Sequence, residues 1–337
     1  LKQWNLARLL LTLLASLLVW AVPALLAMCV GSSGHFGWPG SDELRMLRFQ
    51  TVGVASLVGA SLAAAGVVYQ AILRNPLADP YLLGVSSGAS LMAYVWGFQF
   101  ANNVFGPVLI ALGQQAFAFA GALIAVGVVL TLASRRGRMQ PVTLLLVGVI
   151  VNAIAGSLFL LLNAMRPERL AGVGSAVAFL VGGLQTNLSG SQRWLAAGCA
   201  GAGWIVLFYM TGLLNVAGLS EPEIEALGVR IHRLRWVALC VASVVTAAGV
   251  AISGPIGFVG LICPHLARLI VGRDYRRLLP LATACGAALL PLADAGSRFY
   301  YSIGKTLLPV GVLTSLLGGP FFLFLLWRDT TEPNVPN

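Results

Sequence analysis

Ten apolar runs follow one another along this chain, separated by short breaks that carry its arginines, glycines and prolines. They cover 6–30, 49–72, 81–100, 107–133, 141–164, 192–213, 234–252, 257–271, 278–302 and 307–327. A helix needs about 20 apolar residues to cross the hydrocarbon core of a bilayer, and most of these runs meet that length. Together they use most of the 337 residues, so little sequence is left for a water-facing surface. Only 9% of residues are charged, against 58% hydrophobic, whereas a soluble domain carries about 25% charged residues. A soluble enzyme is excluded. So is a porin, whose strands alternate polar and apolar residues. The expected fold is all-α: a polytopic membrane protein of about ten transmembrane helices, forming a single domain over 1–337 with no linker and no internal repeat.

The formal charge is +10. In a soluble chain such an excess would suggest nucleic acid, but here the basic residues sit between apolar runs and no nucleic-acid partner is expected. Starting from an internal N-terminus, fourteen of the 21 Lys and Arg fall on the cytoplasmic side and seven outside. That bias predicts N- and C-termini both inside. The first run is too long for a signal-peptide core of about 7–15 residues and is expected to remain as an uncleaved helix. Five dispersed cysteines, with no CxxC, are expected to act as small hydrophobes.

Two connections are longer than their job requires. Residues 165–191 face outside, and the apolar run Ala176–Leu184 predicts a short interfacial or re-entrant helix. Residues 214–233 face inside. There Ser220 can cap, Pro222 suits a first helical turn, and Glu221, Glu223 and Glu225 favour the positive end of a helix dipole. Gly228 then ends a short amphipathic helix over about 220–229.

Recognisable chemistry is scarce. Gly304-Lys305-Thr306 resembles the end of a phosphate loop, but Phe299 stands where that loop needs its first glycine. His35, His232 and His265 lie in separate segments without ligand spacing, so no metal site, resident cofactor or catalytic site is expected. Asp294 is the one acid within a span; Arg298, one turn later, is its expected partner. Gly84 with Gly88, and Gly148 with Gly156, are expected to allow close helix approach.

Three blocks carry a specific resemblance. The first is Arg74-Asn75-Pro76-Leu77-Ala78-Asp79-Pro80 with Leu83-Gly84-Val85-Ser86-Ser87-Gly88-Ala89. The second is Gly254-Pro255-Ile256-Gly257-Phe258-Val259-Gly260-Leu261 with Pro264-His265-Leu266-Ala267-Arg268. The third is Leu308-Pro309-Val310-Gly311-Val312-Leu313-Thr314 with Gly319-Pro320-Phe321-Phe322. From about residue 45 to 327 the chain resembles the FecCD family of permease subunits, which serve vitamin B12, haem and ferric siderophores. The resemblance implies the type II ABC importer permease fold, in the bacterial inner (cytoplasmic) membrane. It also implies a second permease copy as a homodimer, two cytoplasmic ABC ATPase subunits that bind ATP and Mg, and a periplasmic substrate-binding protein. Carried over residue by residue, it makes Glu221, Glu223, Glu225, Ala226 and Gly228 the segment that docks on the ATPase. Arg48 and Arg298 become contacts for the binding protein, and Asn75, Leu77, Pro141 and Val142 the cytoplasmic gate. The chain departs from the pattern at Thr51, where a second docking arginine is usual, and lacks the acid before Leu308-Pro309; Arg45 or Lys305 could substitute.

The function this implies is a non-catalytic permease subunit that moves an iron chelate, haem or ferric siderophore, by alternating access driven by partner ATPases. Cobalamin is the alternative substrate. An ion-gradient-driven secondary transporter is the alternative class, but it would need more membrane-buried ionisable groups than Asp294. A channel would need a ring-forming selectivity motif, and none is visible.

Overall fold

The computed structural model describes residues 6–31, 36–96, 113–135, 138–165, 182–185, 188–306 and 308–331. Its helices are α1 (Leu6–Cys29), α2 (Asp42–Leu73), a 3-10 turn η1 (Pro80–Leu83), α3 (Val85–Trp96), α4 (Gln114–Ala133), α5 (Pro141–Ala164), α6 (Gly190–Ala217), α7 (Glu221–Ala226), α8 (Ile231–Ser253), α9 (Val259–Val271), α10 (Tyr275–Gly304) and α11 (Val310–Thr331). A two-residue hairpin, Ser134–Arg135 against Arg138–Met139, joins α4 to α5. Seven of the helices are long and apolar enough to cross a bilayer. Each of the ten runs read from the sequence coincides with a helix, and α7 is the extra, short one. The helix expected within 165–191 falls largely outside the described residues.

α2, α6, α8 and α10 overrun their apolar runs at both ends. α2 starts at Asp42 rather than 49, because the Ser41 side chain accepts from Leu44 N–H and Asp42 and Glu43 occupy the first turn. Arg45, Arg48 and Thr51 therefore lie on the helix, not before it. A hydropathy window sees the hydrocarbon core, whereas a cap sets where the backbone starts to coil.

α2 is the axis of the bundle. Its second half is buried on all sides, against α10, α8, α9 and α6. Apolar surface gives no driving force between helices in lipid, so close van der Waals approach must hold them together. A Cβ on Gly59 would sit 1.9 Å from the carbonyl oxygen of Gly286 on α10, and one on Gly66 would sit 2.0 Å from that of Gly260 on α9. Gly88 of α3 and Gly121 of α4 face each other in the same way. Of the glycines singled out from sequence, Gly88 and Gly148 do pack backbone to backbone, Gly148 against Leu82. Gly156 faces open space, and Gly84 instead ends η1 at φ 82°.

α9 has 13 residues, or about 20 Å of rise, too short for a crossing alone. It begins beside Gly66, well inside the bundle, after an irregular segment over 254–258. Irregular backbone at such depth is tolerated only when protein satisfies it. Here the Tyr81 hydroxyl accepts from Ile256 N–H at 2.8 Å, the Ser253 hydroxyl donates to Gly254 O, and the Gln70 side chain donates to Gly260 O. Ser253 and Ile256 are fully buried.

Candidate functional site

The three sequence blocks meet at this buried break. Pro80 of the first packs on Gly260 of the second, Tyr81 holds Ile256, and Phe258 of the second lies against Gly318 beside the third. Gly182 joins them, its carbonyl accepting from Gly311 N–H at 2.9 Å. The blocks form one joint between the α2–η1 turn, α9 and α11.

At the end of the bundle where α2 finishes, Asn75 closes a tight turn. Its side-chain oxygen accepts from Leu77 N–H at 2.9 Å, and its carbonyl from Ala78 N–H at 3.1 Å. Ala78 is buried while Leu77 points out, 40% exposed. Pro141 is the first residue of α5, and Val142 beside it is 69% exposed. What connects the two pairs is η1, which packs on α5 further along: Asn152 donates to Tyr81 O at 2.9 Å and accepts from the Ser87 hydroxyl at 2.6 Å.

α7 stands at the same end. The Glu223 carboxylate accepts from both the N–H and the hydroxyl of Ser220, at 2.8 and 2.6 Å, which holds it below the usual carboxylate range. Gly228 takes φ 71° and donates to Glu225 O, so the helix stops where the sequence placed its end. Ile224 is fully buried and anchors the helix, while Glu223, Glu225 and Ala226 face outward.

At the opposite end, Arg48 and Arg298 converge on the C-terminus of α1. A helix leaves its last four carbonyls without partners, and α1 has no basic residue in its last turn. Arg298 donates to Ala27 O at 3.0 Å and Val30 O at 2.8 Å, Arg48 donates to Met28 O at 2.6 Å, and Gly37 N–H donates to Cys29 O at 2.8 Å. Arg298 also stands 2.9 Å from Asp294, both side chains more than four-fifths buried. That pair is close in charge without the alignment of a hydrogen bond. Both arginines stand at one end, where Nη1 of Arg48 and both terminal nitrogens of Arg298 are engaged with the end of α1 and the residue after it. Arg45 and Lys305 are the more open cations of this end, Arg45 beside Asp42 at 3.1 Å. Thr51 turns its hydroxyl onto its own helix at Leu47 O. Lys305 caps α10 in the left-handed region and donates to Ser302 O, a helix end rather than a phosphate loop.

Sequence reasoning missed two polar clusters. Tyr69 and Ser243 share a 2.7 Å hydrogen bond in the core, and Arg268 donates to Gln70 at 3.0 Å. It also missed the part played by Arg74, taken up below. A polar side chain within an apolar run was the available signal for Gln70, Tyr69 and Ser243; their partners, distant in sequence, had none.

A model of the FecCD transport family matches residues 8–328 of the chain. The chain belongs to the FecCD transport family. Its relatives include the cobalamin import system permease protein BtuC of Halobacterium salinarum, 40% identical over 303 residues, covering 88% of this chain and 76% of the relative. The hemin transport system permease protein HmuU of Yersinia pestis is 34% identical over 301 residues, covering 85% and 84%. Among solved structures, a protein assigned as a metal-chelate type ABC transporter, in an inward-facing conformation, superposes with a TM-score of 0.78 at 28% identity, over 95% of this chain and 99% of that one. The FecCD chain described here is therefore a multi-pass membrane permease subunit of an ABC transporter, with the fold of that transporter class.

Proposed function

We propose that this permease carries a bulky metal chelate across the bacterial inner membrane from periplasm to cytoplasm, with both chain termini in the cytoplasm. Two cytoplasmic ABC ATPases supply ATP hydrolysis with Mg, and this chain holds no nucleotide site or resident cofactor. A second copy completes the pore as a homodimer, and the whole chain acts as one domain. The observation that carries this reading is α7: a capped acidic helix, anchored by Ile224 and presented outward beside the Asn75 turn. On this reading Glu221, Glu223, Glu225, Ala226 and Gly228 dock on the ATPase, and its closure moves the gate at Asn75, Leu77, Pro141 and Val142 as a rigid-body motion. Arg48 and Arg298 meet a periplasmic binding protein at the opposite end, with Arg45 and Lys305 adding open charge.

An iron chelate, haem or ferric siderophore, is the first reading of the cargo, supported by the likeness to a hemin permease. Cobalamin is the second, favoured by the 40% identity to a cobalamin permease. The test is gentle extraction of the tagged chain and mass spectrometry of what co-purifies. An ABC ATPase at one-to-one stoichiometry is expected. The complex, reconstituted in vesicles with its binding protein, is then offered haem, a ferric siderophore and cobalamin. A stable oligomer without ATPase that transports under an ion gradient would overturn the proposal.

A further inference from the structure

Arg74 is the C-cap of α2 and the first residue of the gate turn. It adopts φ 49° and ψ 35°, the left-handed conformation that glycine or asparagine takes more readily. Its side chain shows what the position gains from being arginine. Nε donates to Ala217 O at 3.1 Å, and a terminal nitrogen donates to Leu219 O. Ala217 closes α6, and Leu219 lies two residues before α7. The Ala217 carbonyl is an orphan acceptor of a helix end, which a cation satisfies well. Among the described residues, these are the only hydrogen bonds between the turn at 74–79 and the segment at 214–229.

A second tie holds the same lead-in from another side. Asn215 donates to the Asp274 carboxylate at 2.8 Å and accepts from Tyr275 N–H at 3.0 Å, fastening the end of α6 to the start of α10. Two struts therefore meet just ahead of α7. One leads to the bundle through α10. The other leads, within a single residue, to the Asn75 side chain that shapes the gate turn.

We propose that Arg74 is the positioning residue that makes the gate turn follow the coupling helix, by holding the lead-in to α7 through both arms of its guanidinium. The inference rests on the coupling and gate roles proposed above. A planar fork bonded to two carbonyls resists rotation as well as stretching, which a lysine ammonium on a flexible stem does not. Displacement of α7 by the ATPase is thus carried to Asn75 without passing through the side-chain packing of the core.

The test uses the reconstituted complex of this chain with its ATPase and binding protein. Arg74→Gln is expected to keep the ATPase bound and hydrolysing, while chelate carried per ATP falls about tenfold, the factor that one lost charge-assisted hydrogen bond represents. Arg74→Lys is expected to fall between. In a Leu77→Cys background, labelling of position 77 by a water-soluble maleimide, located by peptide mass spectrometry, is expected to depend on nucleotide. That dependence disappears with Arg74→Gln and survives Asn215→Ala, which cuts the other strut. Unchanged transport per ATP in Arg74→Gln would overturn the inference. So would equal loss of nucleotide dependence in both variants, or loss of the ATPase with a lowered melting temperature, since each marks a stability role alone. Failure of the unmutated chain to bind any ATPase would instead sink the parent proposal.

Discussion

The two ends of the bundle use arginine for the same task and leave opposite surfaces behind. Where α1 terminates, Arg48 and Arg298 spend their donors on its carbonyls, and the ion pair with Asp294 draws Arg298 further inward. Where α6 terminates, Arg74 is the side chain that caps the helix, and Glu223 and Glu225 of α7 stay outward. One end has locked two of its arginines into structure, and the other displays acids. Substitutions should therefore separate folding from docking at the first end, and reach docking directly at the second.

The largest effect is expected at α7. Glu221→Lys with Glu225→Lys reverses the charge of α7, and Gly228→Pro cannot take the φ of 71° that ends the helix. ATP-driven transport should be lost while the extracted permease keeps its thermal stability. Retained assembly and transport would erase the contrast between the ends. Next comes Arg298→Ala, which strands Asp294 and the carbonyls of Ala27 and Val30; a loss of about 3 kcal/mol, seen as a lowered melting temperature in detergent, is the expected scale for removing one partner of a buried pair. Arg48→Glu with Arg298→Glu should in addition weaken binding-protein affinity at low salt, where surface charge acts most strongly. A destabilised chain with unchanged affinity would make these arginines purely structural and move docking to Arg45 and Lys305.

The smallest effect is expected from Ser220→Ala. The Ser220 donors hold the Glu223 carboxyl below its ordinary range, so the contribution of that ionised acid to α7 is present at and above the ordinary carboxylate range and is lost as pH falls through the lowered value. Without the Ser220 hydroxyl, the larger of the two causes, the loss should begin at higher pH. Comparing the acid limbs of coupled ATPase activity in the two proteins checks this; superimposable limbs would remove Glu223 from the account.

How much of this was legible depends on the range of the interaction. The helix at α7 was readable because cap, dipole acids and terminating glycine all lie within nine residues, Ser220 to Gly228. Asp294 with Arg298 was readable because helical spacing makes one turn a contact. The start of α2 is signalled by Ser41, Asp42 and Glu43, seven residues before its apolar run, because capping and hydropathy mark different boundaries. Arg48 and Arg298 illustrate the limit. Their place at one end was legible, but their engagement with Met28, Ala27 and Val30 spans 20 to 271 positions and leaves no local trace. Likewise Gly156 and Gly148 look alike in sequence, and only the neighbour, open space or Leu82, tells them apart.

The glycine crossings along α2 carry a consequence for how this protein can vary. At most core positions a lost methylene on one helix can be answered by a gained one opposite, so sequence drifts while volume holds. Where Gly59 meets Gly286 and Gly66 meets Gly260, both partners already have no side chain. No smaller residue exists opposite to compensate a side chain on Gly59, Gly66 or Gly286, so none of these three can change first. The axis of the bundle is thereby closed to gradual exchange, and variation must be taken up by the faces that α2 does not touch.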